Sequence, residues 1–293
     1  ELMADQKGES LDTAASTADL FLYGWNATDD LKVPATLLTR ERLSEARTYY
    51  VRTDGSDSND GLRNTSGGAF LTLQKAVNVI RALDLNAKTV TVQIADGTYT
   101  AGASVSVLTG NSSDVVFQGN SGTPGNVVIN VTGGYPFFVG RGASITVKDM
   151  ELRTTTSGDC MFAIDGGKIN YQNVRFGTCA GIHKQATGAG VVYALGSYSI
   201  VGGAVAHEHA TNTGRIHNDL GHTVTLTGTP AFSAYFSGCG QGTSTYLSVT
   251  YSGSATGPRY TVNRNGVIDV NGAGASKLPG DSAGVAATGG QYL

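Results

Sequence analysis

Charged residues are scarce in this chain, which narrows the kinds of partner it can have. Lysine, arginine, aspartate and glutamate make up 15% of its 293 residues, and the formal net charge is −3. No run of basic residues is present, so the chain lacks the phosphate-neutralising charge on which nucleic-acid binding depends. We therefore expect no nucleic-acid partner.

Long apolar runs and cysteines are also sparse. No stretch approaches the roughly 20 apolar residues that a membrane-spanning helix needs, so we expect no membrane insertion. The three cysteines, Cys160, Cys179 and Cys239, have neither the pairing of a disulfide framework nor the close spacing of a zinc site. We expect reduced thiols in a core, and neither a metal nor another cofactor.

Glycine, in contrast, is abundant, with 41 residues. Together with many serines and threonines, it favours turns and short strands over long helices. A single all-β unit of this length is ordinary. The composition therefore favours an all-β fold.

A repeat that begins near residue 101 is the most informative pattern. The β-branched residues Ile145, Ile169, Val192 and Ile216 are separated by 24, 23 and 24 residues. Six positions before each of them stands a small apolar residue: Val139, Ala163, Ala186 and Ala210. A nearly constant period of this size predicts a β-solenoid with rungs of about 23–24 residues over residues 101–276.

Residues 49–100 have a different character. A strand pattern at 49–51 precedes a turn-rich stretch at 53–61, and apolar residues at three- and four-residue steps predict a helix over 72–83. Alternation over 89–95 predicts a further strand. A helix placed before the first full strand would cover the open end of a solenoid, so we expect it to act as an N-terminal cap.

The two ends of the chain are assigned separately. Residues 1–48 contain too little apolar material to form a core alone, so we expect them to be an attachment or oligomerisation segment that packs on another chain or a larger particle. Residues 277–293 are interpreted as a C-terminal tail.

Several motifs resemble those of a known superfamily. The strand and turn from Tyr49 to Gly61, the segment Phe70 to Ala76 and the turn Asp96 to Tyr99 resemble the opening module of pectate-lyase-like parallel β-helix proteins. The stretch 18–38 resembles the virion-attachment segment of phage tail proteins, and 278–293 is similar to the closing segment of phage fibre proteins. The resemblance implies a right-handed parallel β-helix, a homotrimer, and a place on a phage tail.

Catalysis on a glycan would need two carboxylates, about 5–5.5 Å apart in retaining enzymes or about 6.5–9.5 Å apart in inverting ones. Asp149 and Glu151 are expected two apart on one strand face, roughly 7 Å by strand rise, with Asp165 near the next turn. These three are weak catalytic candidates, because solvated or turn-capping acids are the commoner reading. The same stretch offers no visible cluster of cations for a lyase.

The repeat also predicts a polar column. Stacking of rungs places Lys184 near Glu208 and His183 near His207, with Gln185 near His209. Alternation cannot place all of these in solvent, so a paired ladder or hydrogen-bonded imidazoles at a bend or interface is one reading, and a polar receptor or metal cluster is the other. The candidate binding residues are His183, His207 and His209 in this column, and separately Tyr193 and Tyr198, which could form part of a shallow carbohydrate-binding face.

Three functions remain open from the sequence. The first is a trimeric, non-catalytic tail fibre or spike that recognises a host-surface glycan or receptor and meets other tail proteins through residues 1–48. The second is a polysaccharide depolymerase, and the third is a purely structural virion decoration. All three imply a protein made in the host cytoplasm, carried on the virion tail, and extracellular after release.

Overall fold

The computed structural model describes residues 40–110, 115–218 and 221–293. Most of the predicted attachment segment 1–48 therefore lies outside the described residues. The described chain forms a right-handed parallel β-helix of about eight turns, in agreement with the predicted fold.

Each turn of the solenoid contributes strands to three parallel sheets. Sheet 1 contains, in spatial order, β2 (Arg47–Val51), β4 (Val90–Ile94), β7 (Val115–Gln118), β10 (Ser144–Lys148), β13 (Lys168–Gln172), β16 (Val191–Ala194), β19 (Arg215–His217), β22 (Thr243–Thr245), β25 (Val267–Asp269) and β27 (Gln291–Tyr292). Sheet 2 contains β5 (Gly97–Tyr99), β8 (Val127–Val131), β11 (Glu151–Thr154), β14 (Arg175–Phe176), β17 (Tyr198–Ile200), β20 (Thr223–Leu226) and β23 (Thr250–Ser252). Sheet 3 contains β6 (Ala103–Ser106), β9 (Phe137–Gly140), β12 (Met161–Ala163), β15 (Ile182–Ala186), β18 (Ala204–Thr211), β21 (Phe232–Gly240), β24 (Tyr260–Asn263) and β26 (Val285–Ala286). A separate pair joins β1 (Glu41–Arg42) to β3 (Leu83–Asp84).

The predicted repeat is confirmed by the strand register. Ile145, Ile169, Val192 and Ile216 are successive partners in sheet 1, and all four are fully buried. The small residues of the second column pair in the same way in sheet 3: Val139, Ala163, Ala186 and Ala210. The stacked β-branched side chains of successive rungs share one core, and this core is narrow because each rung is short.

The segment interpreted as a C-terminal tail pairs with the last turns of the solenoid. In it, β26 pairs with β24 and β27 pairs with β25, so residues 285–286 and 291–292 extend sheets 3 and 1. Tyr292 also stacks on Tyr260, with ring centroids 3.9 Å apart. Backbone pairing and this ring contact continue the solenoid to its last residues.

The predicted helix is present as α1 (Leu73–Arg81), and the turn before it explains where it starts. Thr72 is the N-cap, and its Oγ accepts from the Lys75 N–H at 3.1 Å. The Asp57 carboxylate in turn accepts from the N–H of Leu71 and of Thr72 at 2.9 Å each, and from the Thr72 hydroxyl at 2.7 Å. The helix ends two residues earlier than predicted because Leu83 begins β3.

The same turn requires glycine where it passes the segment that leads into α1. A Cβ on Gly55 would lie 2.4 Å from the Phe70 carbonyl oxygen, and one on Gly61 would lie 2.2 Å from the Phe70 ring. Gly61 also has φ of +76°, which favours glycine. The motif from Tyr49 to Gly61 thus fixes the approach to the helix by close packing as well as by hydrogen bonds.

Helix α1 lies beside β6, the first strand of sheet 3. The Gln74 side chain accepts from the Ser104 N–H at 2.8 Å, and its amide lies 3.4 Å from the Ser104 carbonyl oxygen. The Gln74 side chain thereby contacts the N–H and the carbonyl oxygen of Ser104, which at the edge of a sheet would otherwise be open to pairing with another strand. The capping role itself stays a prediction.

Within the described ranges, no helix has the length and apolar character needed to cross a membrane.

Candidate functional site

A buried polar network occupies the core between sheets 1 and 3. Lys184 on β15 and Glu208 on β18 are register partners, and both side chains are fully buried. Their neighbours His183 and His207 are also fully buried. Two successive side chains are therefore buried within each of these strands, and strict alternation does not hold there.

The Lys184 ammonium group has oxygen atoms on several sides. Its Nζ contacts Glu208 Oε1 and lies 2.8 Å from the Tyr171 hydroxyl, 3.2 Å from the Tyr198 hydroxyl and 3.3 Å from Asn218 Oδ1. Burial lowers the pKa of Lys184, and the Glu208 carboxylate opposes that shift. The predicted Lys–Glu ladder is therefore real, but it lies in the core.

Both oxygens of the Glu208 carboxylate accept hydrogen bonds. Asn218 donates its Nδ2–H to Oε1 at 2.9 Å, and the Tyr246 hydroxyl donates to Oε2. The Ser237 hydroxyl lies 2.6 Å from the Tyr246 oxygen. Because Tyr246 has one proton and directs it to Glu208, Ser237 donates to Tyr246. Burial raises the pKa of Tyr246, which keeps it protonated as this arrangement requires.

The two buried histidines form a hydrogen-bonded chain. His183 Nε2 is 2.8 Å from the Gly177 carbonyl oxygen, so Nε2 carries a proton and Nδ1 accepts. The Nδ1 atoms of His183 and His207 are 3.1 Å apart, so His207 donates there, and its Nε2 accepts from the Tyr198 hydroxyl at 3.1 Å. Both rings are neutral in this arrangement. Burial lowers the pKa of His183 to about 3 and that of His207 well below its usual value.

These positions correct three of the predicted binding residues. His183 and His207 are fully buried and Tyr198 is 4% exposed, so none presents a side chain to an external ligand. Their polar atoms are satisfied inside the solenoid, because buried polar groups must find partners there. The structure thus favours hydrogen-bonded imidazoles over a receptor cluster. Among the described residues, no group of three or more histidine, cysteine or acidic side chains could hold a metal ion.

The placement of the weak catalytic candidates also differs from the expectation. Asp149 lies in a bend after β10 with φ of +63°, whereas Glu151 begins β11 in sheet 2. The prediction that they share one strand face is therefore wrong, because the chain turns a corner between them. Asp149 Oδ1 accepts from Asn173 Nδ2 at 2.8 Å, which stabilises this corner.

Glu151 and Asp165 lie in different parts of the solenoid. The Glu151 side chain is 2% exposed, and its oxygens accept from Arg153 Nε at 2.5 Å and from Arg175 Nε at 3.0 Å. Asp165 is exposed, with φ of +51°, in the turn between sheets 3 and 1. The structure therefore does not assemble Glu151 and Asp165 into one site.

An aromatic row lies on the outer face at the beginning of sheet 3. It consists of Tyr135, Phe138 and Phe162, whose ring centroids are 5.2–5.5 Å apart. Phe138 and Phe162 are register partners on β9 and β12, and all three side chains are half-buried. Aromatic clusters that remain partly accessible at the surface are characteristic of binding surfaces.

The same outer column continues along sheet 3 with polar residues. Phe162 pairs with Gln185, and Gln185 pairs with His209. The His209 ring lies 5.7 Å from the Tyr235 ring, and both are half-buried. His209 is thus the one predicted histidine on the solvent side of this sheet.

An open groove adjoins the aromatic row and provides additional polar groups. Its volume is about 540 Å³, and Tyr135 and Phe138 form one wall. Gln74, Thr100 and Ser104 line the rest together with small residues. The groove therefore combines aromatic rings with uncharged hydrogen-bonding side chains and has no charged residue in its lining.

Tyr193, the remaining predicted binding residue, lies on another face. It is half-buried on the outer side of sheet 1, with the Lys168 ammonium 5.5 Å from its ring centroid and the His217 ring 5.6 Å away. Tyr193 and His209 therefore belong to different sheets and cannot contribute to one compact site.

Sequence reasoning missed Asp159 as a titrating group. It is 8% exposed, and burial raises its pKa to about 6 even though its Oδ1 accepts from the Ile182 N–H at 2.7 Å. Asp159 is close enough to Tyr135 to raise the pKa of that hydroxyl, although burial of Tyr135 is the larger cause. The sequence marks Asp159 only as an acid beside a turn, so nothing in it indicated the burial.

Comparison with known proteins identified no relative: no family model, no curated protein and no solved structure matches the chain.

Proposed function

We propose that this chain is a non-catalytic, receptor-binding part of a bacteriophage tail fibre or tail spike, and that it binds a host-surface glycan on the outer face of sheet 3. The observation that carries the proposal is the aromatic row of Tyr135, Phe138 and Phe162 beside the uncharged groove. The phage assignment itself depends on the resemblance of the chain's opening and closing motifs to phage tail proteins.

The chemistry of this face fits a neutral or weakly charged saccharide. Aromatic rings pack against the apolar C–H faces of sugar rings, while amide and hydroxyl groups bond their hydroxyls. Thr100, Ser104 and Gln185 provide such polar groups along the face. Because successive rungs lie about 4.8 Å apart, the rows can follow an extended chain molecule along the solenoid axis.

The arrangement of acids favours binding over cleavage. Both oxygens of Glu151 are occupied by guanidinium groups, and Asp149 is bonded to Asn173 at a corner. A glycosidase needs one carboxylic acid that can donate a proton and a second carboxylate across the bond. The predicted acids are not arranged in this way.

Binding should depend on the aromatic row. We expect Phe138→Ala with Phe162→Ala to weaken binding to purified host surface polysaccharide at least about tenfold, since two buried contacts are lost at roughly 1 kcal/mol or more each. Tyr193→Ala, on the outer face of sheet 1, is the matched control and should bind as the parent chain does. Equal affinity of the double variant and the parent would contradict the location.

A parallel assay separates the candidate functions. The parent protein should bind host cells and release no new reducing ends or unsaturated uronates from the polysaccharide. Failure to bind host cells under any condition would favour a structural decoration of the virion.

A second function, glycan depolymerisation, is favoured by Asp159 alone. A carboxyl with a pKa of about 6 beside the aromatic row has the property that a general acid requires. If the chain cleaves glycan, Asp159→Asn should abolish the release of reducing ends while leaving binding intact. Cleavage that survives in Asp159→Asn would exclude this residue as the acid.

The proposed assembly is a homotrimer that joins other tail proteins through residues 1–48 and is carried on the virion tail. The support is the resemblance together with the small apolar content of that segment. Parallel solenoids side by side would present several copies of the sheet 3 face, and multivalency would raise the overall affinity without new contacts.

A further inference from the structure

The centre of the buried network brings together an amine, a carboxamide and a carboxylate. Lys184 Nζ lies 3.3 Å from Asn218 Oδ1, so the amine stands beside the side-chain carbonyl group. Glu208 Oε1 contacts Lys184 Nζ and also accepts from Asn218 Nδ2 at 2.9 Å. One carboxylate oxygen therefore touches both nitrogens that an amide exchange would involve.

We propose that Lys184 and Asn218 become joined by an intramolecular isopeptide bond, with Glu208 carrying the proton between the two nitrogens. Glu208 first takes a proton from the Lys184 ammonium group, which leaves Nζ neutral, and Nζ then attacks Asn218 Cγ, so that a new C–N bond forms while the carbonyl electrons move to Oδ1. The Glu208 carboxyl group donates its proton to Nδ2 and takes a second proton from Nζ, the carbonyl re-forms as the Cγ–Nδ2 bond breaks, and ammonia leaves. The product is one secondary amide, and neither an oxidant nor a cofactor is needed.

The surroundings favour each part of this reaction. All three groups are fully buried, so no bulk water competes for the carbonyl carbon. Burial also lowers the pKa of Lys184, which increases the share of neutral, nucleophilic amine. The Tyr171 hydroxyl lies 3.2 Å from Asn218 Oδ1 and can donate to it, which stabilises negative charge on that oxygen as the intermediate forms.

Glu208 is also held in position by a second set of contacts. Tyr246 donates to its Oε2 and is itself bonded to Ser237. Tyr246 does not touch the reacting atoms, so it is a positioning residue. Because the Tyr246 hydroxyl bonds to Oε2, the other oxygen, Oε1, faces Lys184 Nζ and Asn218 Nδ2.

A purely noncovalent salt bridge is the competing description of this cluster. Burying an ion pair carries a desolvation cost that its attraction often fails to offset. A covalent amide removes both the ammonium and the primary amide, and the remaining carboxyl group can bond to Tyr246. The bond would also close a loop between β15 and the residue after β19, thereby tying adjacent turns of the solenoid together.

Intact-mass spectrometry of the purified, folded chain tests the proposal directly. We expect the measured mass to be lower than the sequence mass by one ammonia molecule. Tryptic digestion should show no cleavage after Lys184 and should yield a branched species in which peptide 176–215 is linked to peptide 216–259. Chain that is isolated directly in denaturant and has never folded should have the full mass, because the reaction needs the folded core.

Three variants assign the roles. Glu208→Gln and Asn218→Ala should both retain the full mass of their sequences, while Tyr246→Phe should lose ammonia more slowly in a time course after refolding. Lys148→Met, a lysine on the outer face of sheet 1, is the matched control and should lose ammonia as fully as the parent. Because some core variants can fail to fold, the parent chain decides the question by itself. A folded parent with its full sequence mass and a normally cleaved Lys184 would overturn the proposal.

Discussion

At the residue scale, the most informative side chains are polar groups inside the core. Lys184, Glu208, His183 and His207 are fully buried, yet each has hydrogen-bond partners. Buried polar groups without partners are costly, so a satisfied network of this kind restricts the core to one arrangement. The sequence showed that these residues stack, but it did not show that both members of each consecutive pair point inward.

The neutral histidines should make the protein acid-sensitive. The folded-state pKa of His183 is about 3, below its usual value, so between about pH 6.5 and pH 3 the unfolded chain binds a proton that the folded chain does not. Stability is therefore present above pH 6.5 and is lost as pH falls, at up to about 1.4 kcal/mol per pH unit for each such histidine. Urea unfolding between pH 7 and pH 4 measures this.

A substitution separates His183 from other titrating groups. His183→Gln should lower stability at pH 7, because it disturbs the bonds to Gly177 and His207, and should also reduce the dependence on pH. An unchanged pH dependence in the variant would show that His183 does not account for the effect.

At the element scale, the turn before α1 illustrates how a motif acts. Asp57 accepts three hydrogen bonds from Leu71 and Thr72, and Thr72 in turn caps the helix. The sequence predicted a hydrogen-bonded turn over 53–61 and a helix after it, and both are present. The link between them across more than ten residues could not be predicted, because it depends on how the turn folds back on Phe70.

Asp57→Ala should destabilise the helical segment. Loss of three bonds to one carboxylate should cost about 2 kcal/mol in the free energy of unfolding, with partial exposure of the site limiting the effect. Hydrogen exchange should become faster at the start of α1. Asp60→Ala is the matched control, because Asp60 makes one local bond, to the Leu62 N–H at 2.9 Å. Equal losses in both variants would show that the link to Thr72 is unimportant.

At the scale of the whole molecule, stacking decides both the core and the outer faces. Residues of one column in sheet 3 change from phenylalanine at Phe138 and Phe162 to Gln185 and His209 as the solenoid proceeds. The outer face is therefore aromatic near α1 and polar further along. The aromatic end of this face is where we propose that a glycan binds.

The proposed trimer is open to a direct measurement. Light scattering of the full chain should give three times the chain mass of 30.2 kDa. Removal of residues 1–39, which leaves β1 and β2 in place, should weaken or abolish the assembly if that segment contributes to it, and circular dichroism would check that the solenoid remains folded. A mass of 30.2 kDa for the full chain would contradict the trimer.

The sequence by itself determined the repeat, the file of Ile145, Ile169, Val192 and Ile216, and the place of the helix, because these depend on period and on local turn chemistry. Only the tertiary structure decided which polar residues are inside. The side-chain directions at corners and irregular strand positions cannot be predicted from simple alternation. Asp149 therefore does not lie on the same strand face as Glu151, and His183 is buried beside Lys184. The contact of Lys184, Glu208 and Asn218 arises from three separate strands or strand ends, and stacking brings them together.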